Sequence, residues 1–575
     1  MASSRDARTL FLCTALLTAA ILWWIKDFAA THGAARLSPI FVSLFTVLDY
    51  PAAVCTLLIA VAAALVPGKY TFRPLLGWIE DHTWPIAGVV CVVMCIGTLQ
   101  VYLNHPLTQD EFAPYFQSQV FAAGHLTGRF PPRLVDWLVL PTYQDHFFFV
   151  SHSSGRIVSA YWPAFALLLT PFTFLGIPWA CNPVISALTL PVIRRLALRI
   201  FADRETAGLA VLLTLASPVF WADGISYYSM SAHLLANCVF ALLLLDPTAR
   251  RALATGFVGS IALTLHNPVP HLLFAVPWIL AVARRQDGAK LTGCLFAGYL
   301  PLSFLLGLAW AAFSGSLVHA GGASAVQAAS SDGVLSRVTS VFSLPDSSIL
   351  LARWVGIVKV WVWAVPGMVL LALAGAWRWR RNPHCRLFVI SALTTLLGYV
   401  LVPVDQGHGW GYRYFHSAWM VLPLLAAGAL APAAVGVQRN ATTARAFFDR
   451  LPEDSAVRAY MVACALLTLT LGCGLRAIQI RDFMSGQINP VPAYAGTERR
   501  VVIMSPAVGL DLTRDDPWLR GNAIYLFSRG EVADATMMRE SFPGLRPVFA
   551  DSRGSVWSAA PAPGSHGPGS RGGSR

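Results

Sequence analysis

Charge is what this 575-residue chain has least of: Asp, Glu, Lys and Arg together make 12% of it, against 56% hydrophobic residues. So small a polar share excludes both an ordinary soluble globular protein and a disordered one. No Gly-x-x-x-x-Gly-Lys-Ser/Thr stretch occurs, which argues against a pump driven by ATP hydrolysis. Internal repeats are missing too, and no paired charges are read inside the apolar runs, although such charges in matching halves would favour a transporter. The ten cysteines lie in or beside apolar runs, so the polar stretches have none that could form a disulfide staple. Cys91 and Cys95 share a helix face and read as small buried thiols. The first apolar run lacks a small-residue cleavage site and is followed by more runs, so no removable signal is expected.

What is present is a series of apolar windows, each near the roughly 17 to 25 residues needed to cross a hydrocarbon core. Thirteen are read, near 9–27, 38–66, 84–103, 178–200, 206–222, 230–246, 251–266, 269–283, 291–313, 351–376, 386–403, 416–435 and 457–476. A further stretch, Trp162 to Ala180, is broken by Pro163, Pro171 and Pro178 and reads as interfacial or re-entrant. The fold class expected is therefore an all-α polytopic membrane protein of about thirteen spans with a small α/β C-terminal region.

Basic residues orient the chain, because short cytoplasmic loops retain them. With the N-terminus cytoplasmic, the inner segments hold half of the 42 Lys and Arg, including Arg5, Arg8, Lys69, Arg194, Arg195, Arg204, Arg284, Arg378 and Arg439. The C-terminus is then extracytoplasmic. The net charge of +13 is a topology signal and not a nucleic-acid footprint.

Residues 1–476 form the expected transmembrane domain, with a first large outer loop at 104–177 and a Ser/Gly-rich, flexible outer loop at 314–350. Residues 477–560 carry strand-like pieces at Val501–Met504, Ile524–Phe527 and Pro547–Ala550 around a helix from Glu531 to Glu540. The tail, 561–575, is Gly/Ser/Pro-rich and reads as disordered.

Within the first outer loop, Thr108-Gln109-Asp110-Glu111 fits a capping box, with Thr108 capping a helix and Glu111 reaching back. Capping does not preclude chemistry, since a helix N-terminus favours the ionised form of a carboxylate in its first turn. A carboxylate held where lipid meets water suits work on a lipid-linked substrate.

Pro106-Leu107-Thr108-Gln109-Asp110-Glu111 with Tyr115, then Phe121-Ala122-Ala123-Gly124, resembles the first outer loop of GT-C glycosyltransferases of the protein-mannosyltransferase and lipid A aminoarabinose-transferase type. Phe149-Val150 through Gly155-Arg156 and Tyr161-Trp162-Pro163 are similar to the loop leading to the family's Pro-rich element. Asn182 to Leu190 with Arg194-Arg195-Leu196 is similar to its next span. Tyr227-Tyr228-Ser229 with His233, Leu265-His266-Asn267-Pro268, and Gly409-Trp410-Gly411-Tyr412-Arg413-Tyr414 fall where the family has outer helix ends. The pattern covers most of residues 80 to 440.

The resemblance implies transfer of a sugar from a polyprenyl-phosphate-linked donor to a lipid, glycan or protein acceptor outside the membrane, with inversion. Asp110 becomes the candidate general base and Glu111 its support, with a divalent metal ion as the candidate cofactor. Arg413, flanked by Tyr412 and Tyr414, is the first candidate for the leaving phosphate and Arg156 the second. Tyr161, His233 and His266 complete the candidate substrate contacts. Asp223 is a secondary acidic candidate, and His146, Asp145 and His152 have a loose metal-like composition without a ligand spacing. Two departures stand out. Ala160 and His266-Asn267 occupy places where many relatives carry Lys and Arg, and two spans precede the family's usual first one. The competing readings are a flippase for lipid-linked sugars and a non-catalytic part of an envelope-polysaccharide assembly.

Overall fold

Ser4 opens the first helix by accepting a hydrogen bond from the Ala7 N–H at 3.1 Å. Helix α1 then runs Arg5–Ala30, about 39 Å long at ~1.5 Å per residue and thus longer than a hydrocarbon core of about 30 Å. The computed structural model describes the chain apart from residues 1–3, 32–36, 67–69, 71, 320–343, 404–407, 433–450, 452–453, 490, 492–497, 507–514 and 560–575. The tail expected to be disordered and most of the loop 314–350 lie outside the described residues, as do Lys69 and Arg439.

In chain order the principal helices after α1 are α2 (Pro39–Ala64), α3 (Thr83–Gln100), α4 (Gln109–Ala122), α5 (Ala164–Phe174), α6 (Cys181–Phe201), α7 (Arg204–Leu215), α8 (Pro218–Ile225) and α9 (Met230–Leu244). There follow α10 (Ala249–Thr264), α11 (Val269–Ala283), α12 (Gly288–Leu317), α13 (Ser347–Val362), α14 (Met368–Arg378), α15 (Pro383–Leu401), α16 (Val421–Ala429), α17 (Ser455–Ile488) and α18 (Glu531–Ser541). Six of them, α1, α2, α3, α12, α15 and α17, are long and apolar enough to cross a membrane. A seventh span arises if α7 and α8, bent by 59° at the break before Pro218, count as one. The chain is thus a mostly helical, multi-span membrane protein.

The other apolar windows hold shorter or less apolar helices, among them α9, α11 and α14. Helices wrapped by neighbours need not each present a full apolar length to lipid. The proline-broken stretch at 162–180 contains the 11-residue α5. Leu16, Leu58, Val89 and Phe304 are each more than half exposed, the surface expected where the surrounding solvent is hydrocarbon.

Cα packing divides the chain into two units: Met1–His105 with Tyr161–Phe313 and Ala323–Asp482, and Pro106–Ala160 with Ser314–Gly322 and Phe483–Arg575. In the first, small residues let helices touch backbone to backbone. A Cβ on Gly256 of α10 would collide with the Leu295 carbonyl of α12, and one on Gly298 with the Leu253 carbonyl. Ser260 Oγ donates to the Tyr299 carbonyl at 2.8 Å across the same seam. Helix α2 contains a π-helical stretch, Leu44–Asp49, a distortion that tends to mark functional positions.

The second unit holds two sheets. Strands β1 (Gly128–Arg129), β2 (Phe148–Val150) and β3 (Arg156–Ser159) lie in the antiparallel order β1-β3-β2. Beyond a short hairpin of the first unit, β4 (His408–Gly409) and β5 (Gly411–Tyr412), come β6 (Arg500–Met504), β7 (Ala523–Phe527), β8 (Arg546–Asp551) and β9 (Gly554–Ser558). Their order is β7-β6-β9-β8, with β6 and β7 parallel and Val502 opposite both Tyr525 and Val556. Val491, Val502, Met504, Phe527 and Val556 form the core of this sheet, closed by Leu140 and Tyr143. The three expected strand segments and the helix are present, and β9 is an addition to them.

Candidate functional site

In the second unit, Thr108 has extended backbone and caps α4, and Glu111 completes the box. Glu111 Oε2 accepts from the N–H groups of Leu107 (2.6 Å) and Thr108 (3.2 Å), and the side chain is fully buried. Its carboxylate is thereby committed to holding the helix start. Asp110, one residue earlier, is half-buried in the first turn. Pro114 lacks the N–H that would otherwise bond the Asp110 carbonyl. Gln117 then fastens α4 to its surroundings: its Oε1 accepts from the Ser159 N–H of β3 at 3.1 Å and its Nε2 donates to the Leu126 carbonyl at 3.0 Å. Arg156 is exposed at the start of β3, opposite Arg129. His152 Nε2 lies 3.0 Å from Gln144 Oε1, and His146 Nδ1 lies 3.3 Å from the Gln144 carbonyl. Among the described residues no three His, Cys, Asp or Glu side chains converge as metal ligands.

In the first unit, the hairpin β4–β5 turns through Trp410 into Gly411, whose φ of +76° is one that residues with a side chain rarely adopt. The turn delivers Tyr412, Arg413 and Tyr414 in succession. Arg413 is 7% exposed, and its guanidinium carbon lies 4.4 Å from the Tyr228 ring centroid. Tyr414 stacks on Tyr399 at 4.1 Å with Arg353 on it at 5.0 Å. Arg353 is itself fixed to the carbonyls of Tyr399 (2.8 Å) and Val402 (2.9 Å). Tyr412 packs against Gly356 of α13, where a Cβ would overlap its ring.

Tyr161 and His266 stack at 4.0 Å, so two candidates far apart in sequence meet. His233 is fully buried, and neither ring nitrogen finds a hydrogen-bond partner among the described residues. Asp223 is also fully buried, in α8, with His416 Nδ1 2.8 Å from its Oδ2. His271 bridges Asn237 Oδ1 and the Tyr299 hydroxyl, each at 2.7 Å.

The expectation that the spans lack paired charges is overturned. Asp49, at the end of the π-helical stretch of α2, lies 2.9 Å from Lys359 Nζ of α13 and 2.7 Å from an Nη of Arg476 in α17. Trp363 Nε1 donates to the same carboxylate at 2.8 Å, and Arg476 lies 3.8 Å over the Trp363 ring. Lys359 also donates to the Gly409 carbonyl at 3.1 Å. Asp49 falls within the apolar window 38–66 and Lys359 within 351–376, and neither of them, nor Arg353, is among the residues the sequence singles out. A signal is nonetheless present: Lys359 stands alone in Val355-Gly356-Ile357-Val358-Lys359-Val360-Trp361-Val362, and an ionisable residue inside a span marks a functional site by default.

No family model matches the chain, and no curated protein matches it. Among solved structures it is similar to ArnT from Cupriavidus metallidurans in the apo state, with 13% identity and a TM-score of 0.47. It is also similar to the same protein bound to undecaprenyl phosphate, with 13% identity and a TM-score of 0.46. Each comparison covers 84% of this chain and 99% of the other.

Proposed function

We propose that this protein is a membrane glycosyltransferase that moves a sugar from a polyprenyl-phosphate-linked donor to an acceptor hydroxyl on the extracytoplasmic face, with inversion. In this reading the chain spans the membrane about thirteen times, with its N-terminus cytoplasmic. Asp110 takes the proton of the acceptor hydroxyl as that oxygen bonds to the anomeric carbon. The bond from that carbon to the phosphate oxygen breaks, and the lipid phosphate leaves with its electron pair. Arg413 meets the charge that develops on it.

The observation that carries the reading is the buried guanidinium of Arg413 against Tyr228, within a helical membrane unit. A guanidinium held away from water on an aromatic face is suited to receive a phosphate, whose charge it meets more strongly there than it would in bulk solvent. The commitment of Glu111 to the helix cap leaves the base role to Asp110. A carrier that flips lipid-linked sugars is the second reading, favoured by the charged groups inside α2, α13 and α17 and by the bend between α7 and α8.

Asp110→Asn separates the two. In reconstituted vesicles a transferase loses about 100-fold or more of product formation while inserting and binding carrier lipid normally. A flippase is indifferent to the change. Mass spectrometry of isoprenoid lipids and envelope glycans, with and without the protein, identifies the donor that accumulates. An unchanged profile overturns the transferase reading.

A further inference from the structure

The second unit contains an open groove of about 750 Å³ between α18 and the one-turn helix Val135–Leu138. The volume falls within the ~300–1,000 Å³ common for ligand sites. Among its lining residues Met537 is buried and Trp137 half-buried, giving an apolar floor, whereas Arg133, Arg529, Glu531 and Glu540 are exposed around it. Glu531 and Glu540 stand ~13 Å apart along α18 at ~1.5 Å per residue, so the groove is longer than one sugar ring.

The indole is fixed before any ligand arrives. Its Nε1 donates to Asp534 Oδ1 at 3.2 Å, and the Arg529 guanidinium carbon lies 4.9 Å from the ring centroid, with Arg529 Nη1 3.4 Å from Asp136 Oδ2. A rigid aromatic surface loses little entropy when a ligand settles on it. By contrast, Arg133, Glu531 and Glu540 have no hydrogen-bonding or ionic partner among the described residues.

The lining selects among ligands. Two guanidiniums repel a cation and two carboxylates repel an anion, while a neutral molecule rich in hydroxyls can donate to the carboxylates and accept from the guanidiniums. An extended peptide is poorly served: the groove has no free strand edge, and the N–H groups of Arg529 and Gly530 are already bonded to Asp534 Oδ1 and Ser528 Oγ. The place in the fold is also informative. Leu138, next to Trp137, lines a small cavity with Gln109 and Phe112, the residues on either side of Asp110-Glu111.

We propose that this groove binds a neutral saccharide chain, with C–H faces on Trp137 and Met537 and hydroxyls on the charged rim. That the chain is the acceptor of sugar transfer rests on the function proposed above.

The test applies the full-length protein in nanodiscs to an array of neutral glucan, galactan and mannan oligosaccharides of graded length. Oligogalacturonates, chitosan oligomers and an amphipathic helical peptide serve as controls. Retention of neutral oligosaccharides is expected, with about tenfold weaker binding in Trp137→Ala and in Thr536→Trp, which fills the groove from α18. Glu531→Lys combined with Glu540→Lys makes the rim wholly cationic and is expected to shift preference to oligogalacturonates. Thermal unfolding checks each variant, and Arg133→Ala, a change at an exposed side chain, decides the matter should the others fail to fold. The inference is overturned if wild type retains no neutral oligosaccharide, if the variants bind as wild type does, or if the peptide is preferred. Groove-dependent binding without Asp110-dependent transfer keeps the saccharide site and removes the transferase reading. Asp110-dependent transfer to an acceptor whose KM is the same in the groove variants removes the saccharide site and leaves the transferase reading standing.

Discussion

Asp49 Oδ2 and Lys359 Nζ lie 2.9 Å apart with each side chain 1% exposed, an ion pair joining α2 to α13 where water does not reach. Arg476 shares the carboxylate, so the two ways of breaking the cluster are unequal. Asp49→Asn strands two cations and is expected to destabilise the protein by about 3–5 kcal/mol. Lys359→Met leaves a one-to-one pair and changes stability by about 1 kcal/mol or less. Denaturant unfolding in micelles, followed by tryptophan fluorescence, measures both. Equal losses would show that the excess charge is compensated by groups other than Asp49.

Glu111 and Asp110 are adjacent but have different duties. Glu111→Ala orphans the N–H groups of Leu107 and Thr108 and is expected to lower stability by about 1–3 kcal/mol. Thr108→Ala removes the cap and costs about 1 kcal/mol. On the proposed function, Glu111→Gln, which keeps an acceptor oxygen, is expected to retain most transferase activity, and Asp110→Asn is expected to lose it with little change in melting temperature. Comparing kcat with melting temperature across the four variants checks the division.

Tyr228 holds Arg413 through its ring face. Tyr228→Phe keeps that face and is expected to leave the KM for the lipid donor unchanged. Tyr228→Leu removes a cation–π contact of about 0.5–2 kcal/mol and raises KM roughly 2- to 30-fold. Steady-state kinetics with a fixed acceptor concentration reads the difference.

Asp515, in the second unit, is buried, and burial pushes its carboxyl well above the usual range despite the Tyr525 N–H that it accepts at 3.1 Å. A carboxyl raised above its unfolded value of about 3.9 gives its full contribution to stability below that pH and loses it as pH rises through the folded value. Wild-type stability therefore falls relative to Asp515→Asn as pH rises from about 4 through the raised folded value, because the amide keeps the acceptor and does not titrate. Thermal unfolding of both proteins across that range gives the difference curve, and a flat one would refute the assignment.

Much of this architecture is legible in the sequence because the relevant forces are local. Low charge and repeated apolar windows specify the helical membrane class, Thr108 and Glu111 specify the start of α4, and short apolar runs rich in β-branched and aromatic residues at Val501–Met504 and Ile524–Phe527 specify two strands. What stays hidden depends on distant partners. The windows 269–283 and 291–313 both read as spans, yet α11 has 15 residues and α12 has 30, and of the two only α12 is long and apolar enough to cross a membrane. Asp49, Lys359 and Arg476 lie far apart along the chain, on three different helices, and no spacing rule joins them. β9 is short and carries glycine and two serines, a composition that propensity does not favour, and it is specified by pairing with β6 and β8.

The second unit is assembled from segments far apart in the chain: Leu140 and Tyr143 close a core whose other members start at Val491. At ~5–20 residues per second, the ribosome needs roughly twenty seconds to a minute to make the intervening stretch. Throughout that interval the early segment is exposed without its complement, so a chaperone or the membrane surface must shield Leu140 and Tyr143 until the later strands emerge. A nonsense change anywhere before β6 would strip those side chains of their cover for good and make the truncated product a substrate for quality-control proteolysis.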